Sequence, residues 1–145
     1  ETDANALIEV VKSFDVPYHV ADFDGMSFEE QVKLSATAGV MAQPHGSGLT
    51  NILWMTTGSV VIEGFPARQW HYNLYGEIAH NAGLFHISVS GTPAGGTSDF
   101  GQGGETPIDC FNHDACVLGL KQDFELDPAD FRYALDQALA LSGIK

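Results

Sequence analysis

The sequence predicts an α/β fold, a Rossmann-like three-layer sandwich around a mainly parallel sheet. Two observations predict it. Helical and strand patterns alternate along all 145 residues, the order of βαβ units whose sheet is covered on both faces. The run Ser59-Val60-Val61-Ile62-Glu63 is continuously β-branched between its polar ends, as a central parallel strand buried on both faces requires. The length sets one domain, or one lobe of a larger protein, over residues 1–145.

Taken in order, Leu7, Val10, Val11 and Phe14 recur on one face of a helix. Pro17 blocks its continuation, and Tyr18-His19-Val20 reads as a short strand. Ser27-Phe28-Glu29-Glu30 has the form of a capping box, opening a helix that runs to about Thr37. Gly39 to Gln43 is a short, mostly apolar strand. A turn over Pro44 to Gly48 follows, then a short helix over about Leu49 to Met55. Thr57-Gly58 turns the chain into the strand Ser59–Glu63. Tyr72 to about Ala82 reads as a helix stopped by Asn81 and Gly83, and Leu84 to Val89 as the next strand. Gly91 to Gly104 has no period and reads as a loop. The last helix opens with Asp127 as N-cap and Pro128 in its first turn. Phe131, Leu135, Ala138 and Leu139 form its buried stripe.

Charge narrows the partners. Six Lys+Arg stand against 19 Asp+Glu, for a net −13. Such a surface repels polyanions, so nucleic acid is not an expected partner. It also leaves few cations to clamp a phosphate, so backbone N–H groups or a second lobe must do that work. No run of ~20 apolar residues would span a bilayer, and no membrane contact is expected of this segment. The chain opens directly on a helical pattern, as a piece of a longer protein with its targeting segment elsewhere would. Cys110 and Cys116 lie six positions apart. They either close a short loop as a disulfide, which suits a secretory compartment, or remain two free thiols.

The strongest candidate for chemistry is Gln43-Pro44-His45-Gly46-Ser47-Gly48-Leu49-Thr50-Asn51. A strand runs into a glycine-bearing turn and then a helix, and ligands of open parallel sheets bind beyond the carboxyl ends of the strands. The helix start offers N–H groups and the positive end of its dipole. Gly46 and Gly48 lack a Cβ, so a pyrophosphate can approach the backbone closely. Ser47 and Thr50 can donate hydroxyl hydrogen bonds. The alternative is a purely structural turn with Ser47 capping the helix. His45 either meets a phosphate, braces the turn, or is a satisfied core histidine. Glu63, at the end of its strand, either accepts two ribose hydroxyls or leaves the sheet as a surface carboxylate. Arg68, just after that strand, either pairs with phosphate or is a surface arginine. His71, His80 and His86 read as solvated or capped histidines, spaced too widely for one metal. No metal site is expected.

Three motifs in order carry a resemblance. Met26-Ser27-Phe28-Glu29-Glu30-Gln31, His45-Gly46-Ser47-Gly48-Leu49-Thr50-Asn51 and Gly58-Ser59-Val60-Val61-Ile62-Glu63 resemble the "sFeeQ" helix, "HGaGLtN" turn and "pGsvviE" strand of glycosyltransferase family 61. Tyr72-Asn73-Leu74-Tyr75 and Ala82-Gly83-Leu84 are similar to later parts of that pattern, and Asp123 to Ala140 to its final segment more loosely. Ser47 stands where the family usually has alanine, and Trp54-Met55-Thr56-Thr57 where it often has "fmpp". The family includes plant xylan-decorating transferases and animal enzymes that place N-acetylglucosamine on extracellular or O-mannosylated proteins. The resemblance implies a two-lobed GT-B architecture, with this chain as the C-terminal, donor-binding lobe and an N-terminal lobe of the same parent as its partner. It implies a nucleotide-sugar donor, mainly a UDP-sugar, transferred with inversion to a glycan or glycoprotein acceptor, without a cofactor. The expected donor contacts are His45, Gly46, Ser47, Gly48, Leu49, Thr50, Asn51, Glu63 and Arg68. Asp24 and Glu63 are the carboxylates within reach of a base role, and neither is assigned it. The expected compartment is the Golgi or endoplasmic reticulum lumen, with a membrane-anchored parent. The competing expectation is a non-catalytic binding module derived from such a lobe. An unrelated dehydrogenase or hydrolase is disfavoured, since GxGxxG and GxSxG are both absent.

Overall fold

The computed structural model describes residues 4–66, 74–93 and 124–144. Helix α1 spans Ala4–Lys12 and helix α2 Phe28–Thr37. Strand β1 spans Val40–Pro44, β2 Val60–Phe65 and β3 Phe85–Ser90, with helix α3, Leu74–Asn81, before β3. A two-residue antiparallel pair, β4 (Thr92–Pro93) with β5 (Phe124–Glu125), precedes helix α4, Pro128–Ser142. That pair claims the first residues of the stretch expected to be loop.

The three long strands form a parallel sheet in the order β1-β2-β3. All six residues of β2 are buried, so the β-branched run is the central strand, as its composition requires. Helices α1 and α4 cover one face, where Val60, Ile62 and Val89 meet Val10, Phe131, Ala134, Leu135 and Ala138. The connection after β1 and helix α3 cover the other, where Met41 and Val61 meet Leu49, Ile52, Met55, Tyr75 and Ala79. The result is a three-layer α/β sandwich with a parallel sheet, consistent with the Rossmann-like expectation.

Local chemistry explains the helix starts. Ser27 accepts from the Glu30 amide while the Glu30 carboxylate accepts from the Ser27 amide at 2.8 Å, a complete capping box. Asp127 accepts from the Ala129 amide at 2.7 Å and Pro128 follows it. Gly143 ends α4 at φ 70, in the left-handed region that favours glycine.

Three expectations need correction. Tyr18-His19-Val20 is not a strand. Tyr18 and Val20 are exposed and pair with no strand among the described residues, and a short run without a neighbour to ladder with has nothing to hold it as a strand. The short helix after the turn starts earlier than expected, at Ser47, and runs to Trp54 as a 3-10 helix. Thr50 Oγ1 donates to the Ser47 carbonyl at 2.6 Å and Asn51 Nδ2 to the Gly48 carbonyl at 3.1 Å. These side chains take carbonyls three residues back and favour the tighter turn. The central strand does not close at Glu63. It continues through Gly64 and Phe65, since β3 keeps pairing with it to Ser90.

Candidate functional site

The site is built where β1 ends. Gln43 and Pro44 pair with Glu63 and Gly64 of β2, and the His45 amide donates to the Gly64 carbonyl at 2.7 Å. The turn is therefore pinned directly beside β2. The 3-10 helix begins at Ser47 with Gly46 as its N-cap. The Leu49 amide donates back to the Gly46 carbonyl at 3.0 Å. Ser47 and Gly48 occupy the first turn, whose N–H groups have no acceptor within the helix itself.

The two glycines play different parts. Among the described residues a Cβ at Gly46 would meet nothing within 4 Å, and its φ of 164 is extended backbone open to any residue. A Cβ at Gly48 would lie 2.1 Å from Gln43 Nε2. The space left by Gly48 is filled by the protein's own glutamine, and the space left by Gly46 faces outward.

His45 is neither solvated nor an ordinary core residue. Its ring is 10% exposed and Nδ1 lies 2.5 Å from Glu63 Oε1. It stacks on Phe65 with centroids 5.1 Å apart and meets Tyr75 edge-on at 5.5 Å. Glu63 is fully buried, and its other oxygen lies 2.6 Å from His86 Nε2. One carboxylate is thus held between two imidazoles, one from the turn just after β1 and one from β3. Burial pushes the Glu63 carboxyl up, but the hydrogen bonds and charges of His45 and His86 outweigh it and hold the carboxyl below its ordinary value. Each histidine meets a different oxygen, so the three side chains pair rather than converge. Among the described residues no group of three His, Cys, Asp or Glu is placed to hold a metal ion.

This geometry corrects the role expected of Glu63. Both its oxygens are engaged and it has no exposed surface, so it orients His45 instead of receiving a ribose. His86, read as a solvated or capped histidine, is its second partner. The signal was available: a glutamate inside a fully buried strand must find partners, and histidines on neighbouring strands are the ones this sequence offers. Leu49 is completely buried with Ile52 and Val61, so its side chain belongs to the core. Ser47 and Thr50 are exposed. Arg68, His71, Cys110 and Cys116 lie outside the described residues, and with them the disulfide.

A cleft of about 300 Å³ adjoins the turn. The 3-10 helix forms one wall through Ser47, Gly48, Thr50, Asn51 and Trp54, and Phe23, Asp24, Phe28 and Gln31 form the other. Gln31 Nε2 donates to the carbonyls of Phe23 and Met26 at 3.0 and 3.1 Å, and its Oε1 accepts from Asn51 Nδ2 at 3.0 Å. The "sFeeQ" helix and the "HGaGLtN" turn are therefore stitched to each other through Gln31 and Asn51. No helix among the described residues is long and apolar enough to cross a membrane.

Comparison with known proteins agrees with the motifs. Residues 2–62 match the family model for glycosyltransferase 61. The match runs from α1 to the middle of β2 and takes in the capping box, the glycine turn and the start of the central strand. The similarities at Tyr72–Tyr75 and Ala82–Leu84 lie beyond it. No curated protein matches the chain. Over residues 2–62, which hold the helix and turn motifs and all but the last residue of the strand motif, the chain is similar to glycosyltransferase family 61.

Proposed function

We propose that this chain is the donor-binding lobe of an inverting hexosyl- or pentosyltransferase, and that the diphosphate of a UDP-sugar docks on the turn Gly46-Ser47-Gly48. The observation that carries the reading is Gly46. Among the described residues nothing lies within 4 Å of where its Cβ would be, and neither its φ nor those neighbours demand a glycine. A ligand that must come close to the backbone is the remaining reason to have one there. The first-turn amides of the 3-10 helix supply donors for phosphate oxygens in a chain short of cations. Glu63 fixes the ring of His45 beside them.

In this reading an acceptor hydroxyl of a glycan or glycoprotein attacks the anomeric carbon from the face opposite the diphosphate. The new C–O bond forms as the bond from carbon to phosphate oxygen breaks. The hydroxyl proton passes to a base on a facing N-terminal lobe, and the nucleoside diphosphate leaves against the turn's amides, which stabilise its developing charge. The compartment proposed is the Golgi or endoplasmic reticulum lumen. The chain by itself then binds donor without transferring sugar.

Gly46→Val tests the reading. UDP is expected to raise the Tm of the unaltered chain, as any ligand selective for the folded state does. Gly46→Val should fold with stability within about 0.5 kcal/mol of the parent and lose the UDP-induced shift. A Gly46→Val chain that keeps the shift in full would sink the proposal.

A further inference from the structure

The cleft beside the turn has a polarity of its own. Asn51 is buried and both hydrogens of its amide are consumed, by Gln31 Oε1 and by the Gly48 carbonyl. Its orientation is not free to invert. The carbonyls of Phe23 and Met26 fix Gln31 with its nitrogen toward them, so Gln31 presents oxygen to Asn51, and Asn51 must answer with nitrogen. All that Asn51 can offer the cleft is its carbonyl oxygen. Thr50 has likewise donated its hydroxyl hydrogen, to the Ser47 carbonyl. Asp24, an exposed carboxylate on the opposite wall, is an acceptor as well. Among the side chains lining the cleft, the Ser47 hydroxyl and the Trp54 indole N–H can still donate.

Away from the amides of the turn, a phosphate would bring only acceptors and negative charge to a wall already holding Asp24. Uracil suits it poorly, because its one free ring N–H is flanked by two carbonyls that would face acceptors. A sugar ring suits it, since every hydroxyl can donate. The rim supplies the apolar partner: Trp54 and Phe28 meet edge to face with centroids 5.8 Å apart, and they are 43% and 68% exposed. Aromatic walls with a few convergent polar groups are the usual make-up of a small-ligand site.

We infer that this cleft is a neutral sugar site, in which Asp24 and the Asn51 carbonyl accept hydrogen bonds from ring hydroxyls while Trp54 covers an apolar face of the ring. The cleft touches the proposed diphosphate turn at Ser47 and Gly48, so the sugar is either the glycosyl group of the donor or a residue of the acceptor glycan. Only that choice of source rests on the donor-lobe reading. The assignment of the cleft to a sugar does not.

The test follows the Trp54 indole N–H resonance of the chain, assigned with Trp54→Phe, during titration with D-glucose, D-xylose, N-acetyl-D-glucosamine, uridine and UDP. At least one free sugar should shift it with millimolar affinity, and uridine should not. Asp24→Asn, at an exposed position whose carboxylate the fold does not use, should weaken the sugar about tenfold, the worth of one hydrogen bond to a charged group. Trp54→Ala should weaken it similarly, read on other resonances of the cleft. Repeating the sugar titration with UDP-glucose, UDP-xylose or UDP-N-acetylglucosamine present separates the sources. Exclusion of the free sugar marks the donor's own glycosyl site, and simultaneous binding marks an acceptor site. If no sugar shifts Trp54 while UDP still binds, or if uridine shifts it and sugars do not, the sugar site is overturned and the donor lobe stands. If a sugar binds and UDP does not, the donor-lobe reading falls and the cleft assignment survives. Sugar shifts unchanged in both Asp24→Asn and Trp54→Ala also overturn the assignment.

Discussion

The two faces of the sheet are built on different chemistry from one strand. Toward α1 and α4, β2 presents Val60 and Ile62, and the packing is apolar throughout. Toward the 3-10 helix and α3 it presents Val61, then Glu63 clasped by His45 and His86, then Phe65 under the His45 ring. The first face could be repacked with any residues of the right volume and still fold. The second carries a charge that must stay paired, at the place where β1 gives way to the glycine turn. The difference separates the part of the chain that makes it a domain from the part that fixes its candidate site.

The largest expected effect breaks the polar face. Glu63→Ala should cost roughly 3–5 kcal/mol in urea unfolding, because it strips a buried carboxylate from two imidazoles and leaves both unanswered. A loss under about 1 kcal/mol would mean that water or a shift of the histidines makes good the pairing. On the apolar face the neighbouring Ile62→Val should cost only about 0.5–1.5 kcal/mol, the price of one methylene. The two substitutions sit side by side in sequence and differ in the face they address.

Acid should find the same asymmetry. The folded Glu63 carboxyl lies below its ordinary 4.5, so the fold favours its charged form. The stability this contributes is present above that value and is lost as pH falls through the lower folded one. Unfolding midpoints measured from neutral pH downward should fall below about pH 4.5, and Glu63→Gln should flatten that decline relative to the parent while lowering the neutral-pH midpoint. An unchanged acid profile in Glu63→Gln would move the acid sensitivity to other carboxylates. The smallest effect belongs to a helix start remote from the sheet. Ser27→Ala removes one half of the capping box and should cost about 1 kcal/mol, with no change in the UDP-induced Tm shift.

What the sequence determined by itself was whatever a few neighbouring residues decide. Ser27 and Glu30 close their box within one helical turn, Asp127 and Pro128 start α4 in the same way, and the β-branched run of β2 needs burial on both faces wherever it lies. The glycine turn after β1 and the parallel order follow from the same local signals. Only the tertiary structure decided which partners meet across distance. Nothing near Tyr18–Val20 says that none of the described strands lies beside it. Nothing near Glu63 says that its oxygens face residues 18 and 23 positions away. Gln31 and Asn51, 20 apart, set each other's orientation, and Gln43 rather than a ligand occupies the space at Gly48. A period or a cap is written in consecutive side chains, whereas a buried charge is satisfied by whatever the strand register brings alongside it, and register is fixed only when the whole sheet closes.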